Sequence, residues 1–233
     1  MRKIMFRKKD ILDFKANEAF KTLRTNILFC GKDIKVLTLT SATPNEGKTS
    51  VSFQLAASFA ASDKRVLFID ADVRKSVIAG RYKVEGNPFG LTHYMTGQKN
   101  MEDVICQTDI NNLDIILAGP ISPNPTELLG GPLFAGLLEM QRENYDYIII
   151  DAPPLGSVID AALIAGHADG AIIVVESGVI SYKMAQRVKE QLEKSGCRIL
   201  GAVLNKVDME HDAYYGNYYG KYYGKYSENY DEA

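Results

Sequence analysis

The sequence predicts an α/β protein with a mostly parallel sheet, helices on both faces of that sheet, and a flexible C-terminal tail. Short runs of Ile, Val and Leu alternate with longer amphipathic stretches, as in strands joined by crossover helices. Most of these runs are continuously apolar, which is typical of strands covered on both faces. A loop of small and polar residues follows the first run and opens a helix, as in phosphate-binding proteins.

The chain has 233 residues, of which 46% are apolar, enough for one domain with an appended tail. A first helix is predicted over 13–29, because its apolar residues recur near helical spacing. Residues 87–125 are rich in Gly, Pro, Asn and Thr and are predicted to be connecting loops around one short helix, 101–107. The other predicted helices are 47–62, 132–144, 159–166 and 181–195, and the predicted strands are 36–40, 66–69, 113–117, 147–150, 171–175 and 199–204.

The ends of the chain differ in composition from its middle. Residues 1–12 form a basic N-terminal arm, for which two interpretations are open: a segment resting on an anionic membrane surface, or a solvated arm, which is the commoner outcome. Its cations are Arg2, Lys3, Arg7, Lys8 and Lys9. The folded domain is predicted over 13–208, where the aliphatic pattern stops, and the tail over 209–233.

Composition excludes several classes of protein. The net charge of −2 gives no general attraction to nucleic acid, so no nucleic-acid partner is expected. Cys30, Cys106 and Cys197 are odd in number and widely spaced, which argues against a disulfide framework or a zinc site and favours a reducing cytoplasm. The sequence has no secretion signal and no run of about 18 apolar residues, so membrane association is expected to be indirect or superficial.

The segment from Ser41 to Ser50 is predicted to bind phosphate. Its backbone N–H groups and the start of the next helix would surround phosphate oxygens, while Lys48 adds a positive charge and the Thr49 hydroxyl can ligate Mg²⁺. Ala42 stands where the common pattern has its first glycine. The candidate nucleotide-binding residues of this loop are Thr43, Pro44, Asn45, Glu46, Gly47, Lys48, Thr49 and Ser50.

Two acidic motifs follow predicted strands. Asp70 and Asp72 come after the second strand, with Arg74 two residues further on, and Asp151 comes after the fourth. Open α/β sheets bind ligands at the carboxyl ends of their strands, so these carboxylates should converge on the phosphate. Together with Thr49 they predict a site for Mg²⁺, which prefers oxygen ligands.

The tail is the most unusual segment, because 8 of the 13 tyrosines of the chain lie in it. Repeated glycines and the lack of aliphatic residues predict a solvated, flexible segment. Taken alone, it could be a low-complexity aromatic tail that stacks or aggregates. Beside a nucleotide site it is interpreted as a substrate, with Tyr214, Tyr215, Tyr218, Tyr219, Tyr222, Tyr223, Tyr226 and Tyr230 as candidate phosphoacceptors.

In combination, these motifs resemble those of the bacterial tyrosine kinases (BY-kinases) of capsule and exopolysaccharide synthesis. That family is a branch of the deviant P-loop ATPases, which include septum-placing and partition proteins. The segment from Gly119 to Leu129 resembles another stretch typical of the family. The resemblance implies an ATP-dependent protein-tyrosine kinase that autophosphorylates its tail, plausibly between subunits, and regulates polysaccharide synthesis and export.

Specific roles follow from this resemblance and from the chemistry of the site. The catalytic residues are expected to be Lys48, Asp70, Asp72 and Asp151. Of these, Asp72 and Asp151 would hold Mg²⁺ with Thr49, and Asp70 would orient or deprotonate the incoming tyrosine. Arg74 is expected to contact the nucleotide, and Asn205 to lie against the adenine.

The resemblance also implies partners. Glu18, Lys21 and Arg24 match the family's assembly motif, with Lys21 in place of the usual arginine, and predict a homo-oligomer, possibly a ring. The expected partners are a membrane activator of the polysaccharide co-polymerase type and a cognate tyrosine phosphatase. The protein would then be cytoplasmic and recruited to the inner face of the cell membrane.

Two alternatives remain open. An assembly-switching ATPase of the partition or septum type would share the fold, but its loop usually has a lysine where this chain has Thr43. A GTPase is suggested by Asn205-Lys206-Val207-Asp208, which matches a guanine-reading pattern. That interpretation leaves the tyrosine-rich tail and Asp72 without a role.

Overall fold

The computed structural model describes residues 2–6, 12–84, 86 and 88–208. Eight strands form a single sheet with helices on both of its faces. The strands are β1 (Arg2–Lys3), β2 (Val36–Ser41), β3 (Val66–Asp70), β4 (Ile105–Gln107), β5 (Leu113–Ile116), β6 (Tyr147–Asp151), β7 (Gly170–Glu176) and β8 (Ile199–Asn205). The helices are α1 (Phe14–Phe29), α2 (Lys48–Ala60), α3 (Ile78–Arg81), α4 (Leu91–Met95), α5 (Met101–Val104), α6 (Pro125–Leu129), α7 (Pro132–Gln141), α8 (Asp160–Ala165) and α9 (Tyr182–Lys194).

The order of the strands decides where the site lies. Across the sheet they run β1-β4-β5-β3-β6-β2-β7-β8, and every described pair is parallel except β4 with β5. Strands β3, β6 and β2 are therefore neighbours with the same direction. The segments that follow them meet at one edge of the sheet, where parallel α/β sheets bind ligands.

The predicted fold class is confirmed, since all six predicted strands and the long predicted helices are present. The strands β2, β3 and β6 are buried along most or all of their length. Their alternate side chains enter two apolar clusters, one on each face of the sheet. Helix α1 begins at Asp13, whose Oδ1 accepts a hydrogen bond of 2.7 Å from the backbone N–H of Ala16.

The segment 101–107 corrects one prediction, because it is not a single helix. Helix α5 ends at Val104, and Ile105 has an extended backbone that begins β4. This strand pairs antiparallel with β5, so pairing across the sheet overrides the local helical pattern. Likewise, 87–125 contains more than connecting loops, since α4 and β4 also lie there.

The N-terminal residues 2–6 also differ from the predicted solvated arm. Arg2 and Lys3 form β1, which pairs with β4. Ile4 and Phe6 are only 3% and 5% exposed and belong to an apolar cluster, whereas Met5 between them is 58% exposed. Ile4 and Phe6 are thus spaced so that both lie on the buried side of this segment, while Met5 lies on the other side. Arg7, Lys8 and Lys9 lie outside the described residues.

Candidate active site

A cavity of about 600 Å³ lies at the carboxyl edge of the sheet. Its walls come from the loop after β2 and the segments after β3 and β6, together with the end of β8. Nine of the predicted site residues line it: Pro44, Asn45, Gly47, Lys48, Thr49, Ser50, Asp72, Arg74 and Asn205. Four others lie behind its wall in the described part of the chain: Thr43, Glu46, Asp70 and Asp151.

Gly47 is required at the start of α2 by its backbone and by its surroundings. It caps the helix with φ of 87°, in the left-handed region that favours glycine. A Cβ added there would lie 2.0 Å from Nδ2 of Asn205. The backbone can therefore turn into the helix directly at the cavity wall, where Gly47, Lys48 and Thr49 lie, as a phosphate-binding loop requires.

Lys48 and Asp151 form a buried ion pair at the base of the cavity. Nζ of Lys48 donates a hydrogen bond of 2.7 Å to Oδ1 of Asp151. The other carboxylate oxygen of Asp151 accepts a bond of 2.7 Å from the Thr49 hydroxyl, and Ser52 donates to Oδ1 at 3.1 Å. The predicted phosphate-binding lysine, two of the three predicted metal ligands and Ser52, which sequence reasoning missed, thus form one network.

The ends of strands β7 and β8 hold the phosphate loop in place through hydrogen bonds. The carboxylate of Glu46, 1% exposed, accepts hydrogen bonds from the backbone N–H and the hydroxyl of Thr43, and from the backbone N–H of Glu176 at 3.1 Å. Nδ2 of Asn205 donates to the carbonyl oxygen of Glu46 at 2.8 Å. Asn205 was predicted to lie against the adenine; here it lines the cavity while its amide holds the loop.

Lys206 completes this attachment and was not predicted. Its Nζ donates to the carbonyl oxygen of Asn45 at 2.7 Å and to Oε2 of Glu176 at 2.8 Å. Glu176 ends β7 and Lys206 follows β8, so both act from strands next to the loop. The sequence analysis met Lys206 only in the guanine-reading pattern and Glu176 in no motif, so neither residue was connected with the phosphate loop.

The two aspartates after β3 have different environments. Asp70 is fully buried; it accepts hydrogen bonds from the Ser76 hydroxyl and, at 3.3 Å, from the backbone N–H of Asp72. Burial, followed by the nearby charge of Asp151, raises the pKa of Asp70 to about 7. Asp72 is half-buried, faces the cavity and accepts a bond of 3.0 Å from the backbone N–H of Lys75.

Arg74 lies in the cavity wall and is held by two residues that the sequence analysis did not assign. Its Nε and Nη2 donate to the two carboxylate oxygens of Asp160, at 2.6 and 3.0 Å. Its Nη2 also lies 3.0 Å from the hydroxyl of Thr126. The hydrogen bonds that Arg74 donates to Asp160 are the main cause that raises the pKa of Arg74, so the guanidinium stays charged.

The three predicted assembly residues lie on α1 and make contacts within this chain. Lys21 pairs with Glu18 at 2.6 Å on the exposed side of the helix. Arg24 donates from Nη1 to the carbonyl oxygen and to the hydroxyl of Ser58 in α2. The eight candidate phosphoacceptor tyrosines lie outside the described residues.

No group of three or more His, Cys, Asp and Glu side chains is arranged to hold a metal ion among the residues that the structure describes. In the same part of the chain, no helix combines the length and apolar character needed to cross a bilayer. A metal at this site would therefore depend on ligands beyond a cluster of protein carboxylates.

Comparisons with known proteins agree with this geometry. The family model described as an AAA domain matches residues 34–199. The chain is 44% identical over 202 residues to tyrosine-protein kinase CpsD of Streptococcus agalactiae serotype III, covering 87% of each protein. It is 37% identical over 202 residues to tyrosine-protein kinase YwqD of Bacillus subtilis, covering 86% of this chain and 85% of that protein.

Solved structures agree as well. The kinase domain of Escherichia coli tyrosine kinase ETK superposes with a TM-score of 0.79 at 38% identity, covering 82% of this chain and 76% of that one. The septum site-determining protein MinD of Pyrococcus horikoshii, with a TM-score of 0.65 and 23% identity over 75% of this chain and 71% of that chain, shares the fold alone. The family implies nucleotide binding, and the chain belongs to the bacterial protein-tyrosine kinases of the P-loop NTPase superfamily.

Proposed function

We propose that this kinase transfers the γ-phosphoryl group of ATP to tyrosines of its own C-terminal segment. The observation that carries the proposal is the position of Asn205 and Lys206, which line the nucleotide cavity and hold the phosphate loop. The tyrosine-rich segment 209–233 follows them almost directly in the sequence. The candidate acceptors are thus tethered at the rim of the donor site.

The donor set fits Mg²⁺ bound together with a nucleotide. Thr49 and Asp151 present a hydroxyl and a carboxylate in contact at the base of the cavity, and Asp72 offers a second carboxylate at its wall. Mg²⁺ commonly takes one or two carboxylates, with phosphate oxygens and water completing its shell. When bound, it would neutralise charge on the β and γ phosphates.

In the proposed reaction, the phenol oxygen forms a new bond to the γ-phosphorus as the bond from that phosphorus to the bridging oxygen of ADP breaks. Lys48 would move from Asp151 to the phosphates, and the loop N–H groups would orient them. The phenol has a pKa of about 10, so its proton leaves late, to a carboxylate. Asp70 is the proposed acceptor because burial raises its pKa above that of an ordinary aspartate.

The position of Asp70 constrains that role. Asp70 is 0% exposed and lies behind Asp72 and Ser76, so an incoming phenol would reach it only after the segment that follows β3 had moved. Asp72 faces the cavity and is proposed to orient the hydroxyl in the meantime, in addition to holding Mg²⁺.

Transfer between subunits is proposed because an assembly of several copies would offer more than one cavity to each set of candidate acceptors. Glu18, Lys21 and Arg24 would form part of the contact between copies of a homo-oligomer, for which a ring is one arrangement. Of these, Lys21 is the residue best placed for a partner: its side chain is 49% exposed and paired only with Glu18 in the described part of the chain. Phosphates on the tail would add about −1.5 to −2 charges each and loosen the assembly.

The wider role is proposed from the relatives that bear the name tyrosine-protein kinase CpsD. The protein would regulate capsular or exopolysaccharide synthesis and export from the cytoplasm. A membrane activator of the polysaccharide co-polymerase type would recruit it to the inner face of the membrane, and a cognate tyrosine phosphatase would reverse the modification. Nucleic acid is not a proposed partner.

The test is tyrosine-resolved mass spectrometry of the purified full chain after incubation with ATP and Mg²⁺. Phosphate on residues between Tyr214 and Tyr230 is expected; nucleotide consumption without any change in mass would instead indicate an assembly-switching ATPase. To test transfer between copies, Lys48→Ala chains with an intact tail are mixed with active chains that end at Asp208. Phosphate on the Lys48→Ala chains is expected, and its absence would show transfer within one chain.

A further inference from the structure

Arg74, Asp160 and Thr126 form a closed set of hydrogen bonds at the wall of the nucleotide cavity. Arg74 donates to both carboxylate oxygens of Asp160, which is the planar, two-point geometry that only arginine offers. The hydroxyl of Thr126 donates to Oδ1 of Asp160 at 2.9 Å and accepts from Nη2 of Arg74 at 3.0 Å. Each of the three side chains therefore contacts the other two.

The difference in burial between Asp160 and Arg74 indicates that Asp160 holds Arg74 in place. Asp160 is 0% exposed, whereas the side chain of Arg74 is 39% exposed and lines the cavity. A buried carboxylate is costly unless its charge is paired, so Asp160 has a strong preference for one position of the guanidinium. The buried partner thus anchors the one that faces the ligand.

The set joins three segments that are distant in the sequence. Arg74 ends the acidic motif after β3, Asp160 begins α8 beyond the motif after β6, and Thr126 lies in α6. The segment of α6 belongs to the stretch from Gly119 to Leu129, for which the proposed reaction supplies no role. Its contact with Arg74 through Thr126 connects it to the nucleotide site.

We propose that Asp160 and Thr126 are positioning residues that fix the guanidinium of Arg74 at the cavity wall, where it stabilises the phosphoryl group during transfer. This inference rests on the proposed function, since it assigns a part of the same reaction. A cation that is already oriented loses little freedom and reorganises little when charge develops on the transferred group. A guanidinium released from Asp160 would keep its charge but lose its fixed position.

The test compares Asp160→Asn, Thr126→Val and Arg74→Ala in single-turnover phosphorylation of the full chain. Arg74→Ala should lower the rate by on the order of 10²-fold or more, and Asp160→Asn by about tenfold to 100-fold, because misplacement of one group can cost that much. Thr126→Val should lower it less, and Thr126→Ser, which keeps the hydroxyl, should retain the wild-type rate. Nucleotide affinity should change by much less than the rate.

Non-additivity separates positioning from general damage to the fold. If Asp160 acts through Arg74, adding Asp160→Asn to Arg74→Ala should cause little further loss of rate. Losses that multiply would overturn the inference, as would an Arg74→Ala variant with the wild-type rate. Should Asp160→Asn fail to fold, the Thr126→Val and Thr126→Ser pair decides: equal rates for the two would overturn the inference.

The chain contains a matched control in Arg142 and Asp169. This pair is also joined at two points, through Nη1 and Nη2 of Arg142 with both distances at 2.8 Å, but it lies at the opposite edge of the sheet, where Asp169 precedes β7. Asp169→Asn should lower stability while leaving the rate per folded molecule unchanged. An equal loss of rate in both variants would show that only the fold was affected.

Failure of this inference can be told apart from failure of the proposed function. If the wild-type chain phosphorylates its tail and the variants at Arg74, Asp160 and Thr126 all react at the wild-type rate, the inference alone is wrong. If the wild-type chain consumes ATP without modifying the tail, the proposed acceptor is wrong, and the same series is measured on phosphate release. The rates of phosphate release should rank the variants in the same order, because the transferred group is the same. Equal rates for all variants would again overturn the inference.

Discussion

Nζ of Lys48 lies 2.7 Å from Oδ1 of Asp151, and the two side chains are only 7% and 1% exposed. The cation that a nucleotide would use is therefore held by an aspartate that is also a proposed metal ligand. Binding of a nucleotide must exchange this contact for one with phosphate. The charge of Lys48 thus supports both the fold and the proposed chemistry.

Lys48→Ala should abolish phosphorylation and should also lower the free energy of unfolding, by about 3 kcal/mol, because Asp151 is left buried without its partner. Chemical denaturation measures this loss. Adding Asp151→Asn should restore part of the stability without restoring activity. The control is Lys64→Ala, at an exposed position, where no loss of activity is expected. Phosphorylation by Lys48→Ala at the wild-type rate would remove this lysine from the mechanism.

Asn205→Ala should weaken the binding of pyrophosphate as well as that of ATP. Its amide donates to the carbonyl oxygen of Glu46 in the phosphate loop, so losing that bond should cost about 1 kcal/mol, or roughly fivefold in affinity. Calorimetry with each ligand measures the effect, and Asn144→Ala, an exposed site at the other edge, is the control. Unchanged pyrophosphate binding would mean that Asn205 acts on the base alone.

Phe6→Ala should destabilise the domain by about 3 kcal/mol, because it removes a buried ring. The Phe6 ring lies 5.3 Å from that of Phe53 and 5.7 Å from that of Tyr82, in edge-to-face contact. Met5→Ala, at the adjacent exposed position, should change the free energy of unfolding by no more than about 0.5 kcal/mol. Equal stability of the two variants would place residues 2–6 outside the folded domain.

Asp169→Asn should reduce stability at neutral pH and have less effect in acid. Burial works to raise the pKa of Asp169, but hydrogen bonds from Arg142 and from the backbone N–H groups of Val36 and Lys35 outweigh it and lower the pKa. A carboxyl whose pKa is lower in the folded state stabilises the fold above its unfolded pKa and loses that effect as the pH falls through its folded pKa. Thermal unfolding from pH 7 towards pH 3 should therefore show the two curves converging, whereas parallel curves would contradict this assignment.

The six predicted strands could be read from the sequence because most of them are continuous apolar runs, and a run such as 147–150 has no other way to bury both of its faces. The short strands β1 and β4 could not, since two or three residues carry no periodicity and exist only through pairing with a neighbour. For the same reason, Ile4 and Phe6 were predicted to lie in a solvated arm. The local composition of that segment is basic, whereas the burial of Phe6 depends on side chains distant in the sequence, such as Phe53 and Tyr82.

The amino-acid sequence by itself determined the chemistry of the site, because phosphate loops and strand-end aspartates such as Asp151 are local patterns with a local cause. Only the tertiary structure decided which side chains position the phosphate loop and Arg74. Lys206 and Asp160 lie far along the chain from the residues they contact. The sequence analysis recognised Lys206 only as part of a guanine-reading pattern, and Asp160 in no motif. Their contacts arise because the order of parallel strands brings the carboxyl ends together, which no short stretch of sequence encodes.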